Sequence, residues 1–336
     1  MIEDETSLDD RLSTPPPGLA EDLGRLDGDV LVLGVGGKMG PTLARMARRS
    51  LPSGRRVIGV ARFSRPGLRA ELEEAGVETV ATDLMDGTRL ASLPEAPNVV
   101  YMAGTKFGTT GAEHLTWAMN AYLPGRIAER YPRSRTVVFS TGNVYPLTPV
   151  AGGGACEDDP TGPVGEYAQS CLGRERVFEH ASRSRGTPVV LLRLCYAIEC
   201  RYGVLVDVAE AVRDGRPVDV AMPAVNVIWQ GDACAYALRA LAHAASPPLV
   251  LNVSGPETVS VRRLAQRFAE LLGTEPRLTG EEGAVALLAD SARAHRLFGY
   301  PRTTLGEMIE LVAAWVRARR PTLAKPTHFQ EREGRF

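Results

Sequence analysis

The sequence lacks several features that would fix a class at once. No apolar run approaches the roughly 20 residues that a bilayer-spanning helix needs. The net charge is −1, so composition gives no pull toward nucleic acid or an anionic membrane. The amino terminus is acidic and carries Pro15-Pro16-Pro17, the opposite of a secretory leader. Cys156, Cys171, Cys195, Cys200 and Cys234 are odd in number and scattered, with no zinc-ligand spacing among them. They read as reduced thiols in a cytoplasmic protein, and no metal is expected. No internal repeat is evident. With 336 residues, 44% of them hydrophobic, the chain suits one large α/β domain or a nucleotide domain with a smaller companion.

What the sequence does have is concentrated between Asp29 and Met46, DVLVLGVGGKMGPTLARM. Val30 to Leu33 suits a parallel strand buried on both faces. Gly34, Gly36, Gly37 and Gly40 follow, and Thr42 to Arg48 reads as a helix with Leu43 and Met46 on one face. Strand, glycine turn and helix bring free backbone N–H groups and a positive helix end to one point, where a pyrophosphate is the usual occupant. A tight βα connection without a ligand is the plainer alternative. The spacing Gly34-x-x-Gly37-x-x-Gly40 is one residue longer than the GxGxxG dinucleotide fingerprint.

Residues 1–28 read as a mobile or loosely docked arm. Further strands are expected at Arg56–Ala61, Val77–Ala81, Asn98–Met102, Thr136–Phe139 and Thr187–Leu194. A helix is expected over Glu113–Glu129, kinked or divided by Pro124, and another over about Glu166–Ser182. Alternation at this pace implies a doubly wound parallel sheet with every strand's carboxyl end on one edge, where ligands bind. That domain covers 29–194. Short strands at Val225–Ile228 and Leu249–Val253 then alternate with helices in a smaller lobe, 195–320, whose segments can return to the sheet. The tail, 321–336, reads as loose or as docking on a partner.

With these motifs in order, the chain resembles the extended short-chain dehydrogenase/reductase group, the NAD-dependent epimerase/dehydratase family, over about residues 29 to 317. The likeness rests on the glycine turn, on Asp83-Leu84, on Ser140-Thr141 followed by Val144-Tyr145, and on Tyr167 opening a helix. It implies a Rossmann fold holding a nicotinamide dinucleotide, with the carboxyl-terminal part choosing the substrate. By motif position Thr141 is the hydroxyl partner and Tyr167 the general acid/base. The family's lysine, four residues after the tyrosine, is here Cys171, which cannot supply a positive field. Lys106, just past the fourth strand, is the candidate substitute. Cys171 itself is read as packing in preference to a nucleophile.

Gly34, Gly37, Lys38, Met39 and Gly40 are expected at the cofactor, with Lys38 facing phosphate. Asp83 and Leu84, Ala103 and Gly104, and Asn120 are expected there too. The second strand ends in Ala61-Arg62, where NAD-binding proteins usually place a carboxylate. An arginine there favours a 2′-phosphate, so NADP is expected before NAD. Asn143, Tyr196, Trp229 and Gln230 are expected around the substrate. The expected activity is hydride transfer at a carbinol or carbonyl carbon of a small polar, sugar-like molecule, alone or within an epimerisation or dehydration. A non-redox enzyme and a dinucleotide-binding regulator without turnover are the alternatives. Among partners, a small-molecule substrate is expected and a homodimer is left open, with no nucleic acid and no membrane.

Overall fold

A computed structural model describes residues 2–106 and 111–335. Phe107 and Gly108, placed by the sequence in the loop after the fourth strand, lie outside the described residues.

The run Val30–Leu33 forms β1, buried at every position. It pairs in parallel with β2 (Val57–Ala61) on one side and β4 (Asn98–Tyr101) on the other. β3 (Glu78–Ala81) joins β2, and β5 (Arg135–Thr141), β6 (Val189–Leu194) and β7 (Leu249–Val253) extend the other side. The order is β3-β2-β1-β4-β5-β6-β7, seven strands and all parallel. Leu249–Val253, read from sequence in the second lobe, is thus the outer strand of the main sheet. Its Leu251 and Val253 are fully buried in the sheet core.

Helices cover both faces. On one lie α3 (Gly40–Ser50) and α10 (Gln230–Ala240), whose buried residues share a core with β1 and β6. On the other lie α7 (Leu123–Arg130) and α8 (Gly165–Arg185), packed on Val99, Tyr101, Val138 and Leu191. The segment before α7 starts as α6 (Glu113–Trp117) and widens into a π turn, Ala118–Tyr122. Pro124 follows closely on that π turn, where the widened backbone accommodates a residue without an N–H inside the continuous helical path.

A second core gathers α9 (Val204–Arg213), α11 (Val261–Leu272) and α13 (Leu305–Arg317). The expected loose arm is instead two docked helices, α1 (Glu5–Ser13) and α2 (Leu19–Gly24). Leu8 and Leu12 enter this second core and Leu19 and Leu23 the sheet core, all four fully buried. The acidic residues that suggested a solvated arm are spent on ion pairs: Asp9 with Arg45 and Arg201, and Asp22 with Arg239. The tail also docks on its own chain, with Thr327 and Phe329 buried. Among the described residues no helix is long and apolar enough to cross a membrane.

Candidate active site

The carboxyl ends of β1 to β4 form the first half of the cleft. Gly34 has φ +91, and a Cβ there would lie 2.6 Å from the Ala103 amide nitrogen, so the turn after β1 can approach the end of β4 only as glycine. A Cβ on Gly40 would lie 2.2 Å from the Val35 carbonyl oxygen, which fixes glycine at the head of α3. Gly36 and Gly37 are exposed, leaving the turn's backbone open toward the cleft beside an 11-residue helix. Arg62 stands exposed just past β2 and makes no ion pair among the described residues. Asp83, also exposed, accepts from the Met85 amide at 2.9 Å. Leu84 is buried in the core, so it offers the cleft no more than backbone.

Gly104 is exposed at the end of β4, and the loop there is latched by Asn120. The Asn120 amide accepts from Thr105 N at 2.9 Å, donates to Thr105 O at 2.8 Å and donates to Ser170 Oγ at 3.0 Å. Arg174 fastens the same amide from α8 at 2.9 Å. Asn120 is fully buried, so its side chain positions the loop that would meet a cofactor. An open glycine turn at a helix start, no carboxylate at the end of β2 and a latched glycine after β4 fit a nicotinamide dinucleotide.

The second half of the cleft is a cavity of about 140 Å³ at the ends of β5 and β6. Thr141, Asn143, Tyr167, Lys106 and Tyr196 line it, together with Lys38 and Met39 from the glycine turn. Thr141 and Tyr167 face this cavity together, and the Thr141 Oγ1 accepts from the Asn143 amide at 3.2 Å. The Lys106 ammonium sits 5.8 Å from the Tyr167 ring centroid and donates to the Thr327 carbonyl at 3.4 Å. Burial raises the Tyr167 pKa above its ordinary value, and the neighbouring Cys171 raises it further. The Arg174 charge and the Thr141 hydroxyl pull the other way and do not prevail. The phenol is therefore protonated at neutral pH and ready to donate. Burial lowers the Lys106 pKa to about 8.

Cys171 lies one turn after Tyr167, 1% exposed, and packs with Val144, Tyr145 and Ala155. Burial raises its thiol pKa, so it is a packing residue rather than a poised nucleophile. Below the cavity runs a polar layer that the sequence reading missed. Arg193 grips Glu175 at 2.7 Å and the Tyr145 hydroxyl at 2.6 Å, and that hydroxyl donates to Asn252 Oδ1 at 2.9 Å. Ser140 donates to Glu175 at 2.5 Å, which commits its hydroxyl to the buried Glu175–Arg193 ion pair. A signal existed: Glu175 repeats the four-residue spacing of Tyr167 and Cys171, and Arg193 is a charge within the apolar run of β6.

Three expected placements change. Lys38 does not face the phosphate side; its ammonium donates to Ala197 O at 2.9 Å and lies 3.7 Å over the Tyr202 ring. Trp229 is 2% exposed in the second core, because its short strand pairs with Ala197–Ile198 and turns the indole inward. Gln230 is 1% exposed and donates to Thr42 Oγ1 at 2.9 Å, clamping α10 to α3. Tyr202 and Thr327 line the cavity and were not foreseen. Tyr196 lines it with φ +30, a conformation unusual for a residue with a side chain.

A Rossmann sheet with an open glycine turn beside a Thr–Tyr pair defines a dinucleotide-dependent enzyme class. The model of the NAD dependent epimerase/dehydratase family matches residues 30–253, and the chain belongs to that family. No curated protein matches it in sequence. Among solved structures it is similar to UDP-glucuronic acid 4-epimerase from Bacillus cereus in complex with NAD, 18% identical with TM-score 0.73 over 87% of this chain and 99% of that one. UDP-glucose 4-epimerase from Thermotoga maritima with UDP-glucose is 18% identical, TM-score 0.70, over 87% and 99%. The Thermus thermophilus UDP-glucose 4-epimerase complex with NAD is 21% identical, TM-score 0.71, over 86% and 99%.

Proposed function

We propose that this chain is a nicotinamide-dinucleotide-dependent oxidoreductase of the epimerase/dehydratase type, acting on a carbinol or carbonyl carbon of a small polar molecule. The observation that carries the reading is that Thr141 and Tyr167 line one cavity with Lys106 and the glycine-turn residues Lys38 and Met39. The open turn at Gly36 and Gly37, the Asn120-latched Gly104 and Asp83 would hold the dinucleotide, which supplies a hydride acceptor or donor when bound.

Tyr167 acts on the substrate oxygen. Held neutral by burial, it donates its proton as a carbonyl becomes a carbinol, and Thr141 donates a second hydrogen bond to the same oxygen. The Lys106 ammonium stabilises the phenolate left behind, in place of the cation missing at Cys171. The 2′-phosphate preference is part of the proposal: Ala61-Arg62 offers a cation and no carboxylate at the end of β2, although the comparable solved structures named above hold NAD. A two-lobed organisation, with 29–194 completed by α10 and β7 as one lobe and the remainder of 195–320 as the other, a homodimer and a cytoplasmic setting belong to the same proposal; five free thiols, four of them buried, support the last.

Calorimetric titration with NADPH and NADH, in the native chain and in Tyr167→Phe, tests this reading. Binding of either nucleotide that survives Tyr167→Phe, while substrate turnover does not, is the expected result. Absence of binding by both nucleotides rejects it.

A further inference from the structure

The cavity beside Tyr167 is small, and its wall is finished by a residue from the far end of the chain. Its volume of about 140 Å³ falls below the roughly 300–1,000 Å³ usual for sites of drug-sized ligands. Thr327 closes one side and is fixed there. Its backbone N–H and its hydroxyl both donate to Asp207 Oδ2, at 2.8 and 2.5 Å, while its carbonyl accepts from Lys106.

The segment around Thr327 is anchored along its length. Leu323 N donates to Arg201 O at 2.9 Å, and Phe329 is buried in the second core. Arg332 donates to the Ala221 carbonyl at 2.8 Å. Gly334 lies so close to the start of α8 that a Cβ would be 2.2 Å from the Val164 oxygen. The segment is a built part of the wall.

The charge in the cavity is of one sign. Lys38 and Lys106 both line it, and no Asp or Glu among the described residues does. Glu199, the carboxylate that acts on Lys38 electrostatically, is committed to Arg201 at 3.1 Å, which also pairs with Asp9. Lys38 makes no ion pair among the described residues; a carbonyl and an aromatic face are its contacts. Burial lowers both ammonium pKa values, and the Lys106 charge lowers that of Lys38 further, while Asp207 behind the Thr327 wall supports Lys106. An anion entering the cavity would relieve that cost for both.

We propose that the substrate is a small organic anion, a carboxylate-bearing hydroxy or oxo compound, with its carboxylate on Lys38 and Lys106 and its reacting oxygen on Thr141 and Tyr167. The Thr327 wall excludes nucleotide-linked sugars. This rests on the functional reading above, for which it names the substrate class, and makes Lys38 its specificity-determining residue.

The test is calorimetry on the full chain saturated with dinucleotide, using malonate, uncharged malonamide and UDP-glucose as probes. Malonate should bind with a Kd of a few mM or tighter, and malonamide about tenfold more weakly or worse. UDP-glucose should not compete at the same concentration. Lys38→Met should weaken malonate about tenfold while leaving dinucleotide affinity within about threefold, and Lys38→Arg should restore much of the loss.

Equal binding of malonate and malonamide, or no binding of either, overturns the proposal, as does binding of UDP-glucose as tight as malonate. A Lys38→Met chain that loses dinucleotide affinity and keeps malonate also overturns it, returning Lys38 to a phosphate role. Failure of the native chain to bind dinucleotide rejects the functional reading instead. Malonate titration of the unloaded chain then still reads the lysine pair.

Discussion

The two sides of the cleft are built differently. The glycine-turn side uses the ends of neighbouring strands, β1 to β4, and residues from the first part of the chain, Gly34, Thr105 and Asn120 among them. Its surfaces are open: Gly36, Gly37, Arg62 and Gly104 are all exposed. The substrate side draws residues from Lys38 to Thr327 and buries most of their charge. Local chemistry recurs on the first side because one ligand shape, a backbone-bound phosphate, is served by one short motif. The second side is assembled by packing, and there the side chains' pKa values depart furthest from their ordinary ranges.

That contrast is most exposed at Tyr167. Tyr167→Phe removes one hydroxyl from the substrate side and should lower kcat by about 10²–10⁴ while dinucleotide affinity holds. Comparable losses in both would dissolve the division between the two sides. Single-turnover kinetics with a titration of the same variant decides it.

Lys106→Met should come next, with a rate loss of roughly tenfold or more, one pKa unit of differential stabilisation being about 1.4 kcal/mol. The sign of its pH dependence follows from burial. With its pKa lowered to about 8, Lys106 is charged below that pH and neutral above it. A rate that depends on the cation therefore falls as pH rises through about 8. The Lys106→Met profile should lack that limb; a limb that persists there would remove Lys106 from the reaction.

Arg62→Ala probes the open side, where effects should be smaller because solvent screens the contact. NADPH affinity should drop about tenfold relative to NADH, the ~1.4 kcal/mol of one charged hydrogen bond. An unchanged ratio of the two dissociation constants would remove the 2′-phosphate assignment. The least effect is expected from Cys171→Ala. Activity should stay within about threefold, with a stability loss of about 1 kcal/mol visible in denaturant melts. An inactive variant that still folds and binds dinucleotide would place chemistry on the thiol.

The same division explains how much could be read without coordinates. β1, the glycine turn and α3 were legible because apolar run, turn glycines and helix spacing are local signals that agree. Thr141 and Tyr167 were singled out through the family resemblance, whose motif they match, and the fold brings both to one cavity. Trp229 and Gln230 follow a strand end, yet they face a core and a helix clamp. Position in sequence does not reveal which way a two-residue strand turns its side chains.

Residues 1–28 show the other way in which local composition misleads. Acid and proline suggested solvation, but Leu8, Leu12, Leu19 and Leu23 sit at spacings that bury one face of two short helices. The carboxylates then meet arginines from Arg45 to Arg239, which only the folded chain brings near.

The sequence by itself determined the sheet, its nucleotide-binding turn and the Thr141–Tyr167 pair, because each follows from period, glycine placement or motif order within a few dozen residues. Tertiary structure alone decided that Lys38 turns into the cavity, that Glu175 and Arg193 form the layer beneath it, and that Thr327 closes it. Those contacts join residues 18 to 221 positions apart, and burial, which no local signal encodes, sets their charge and their cost.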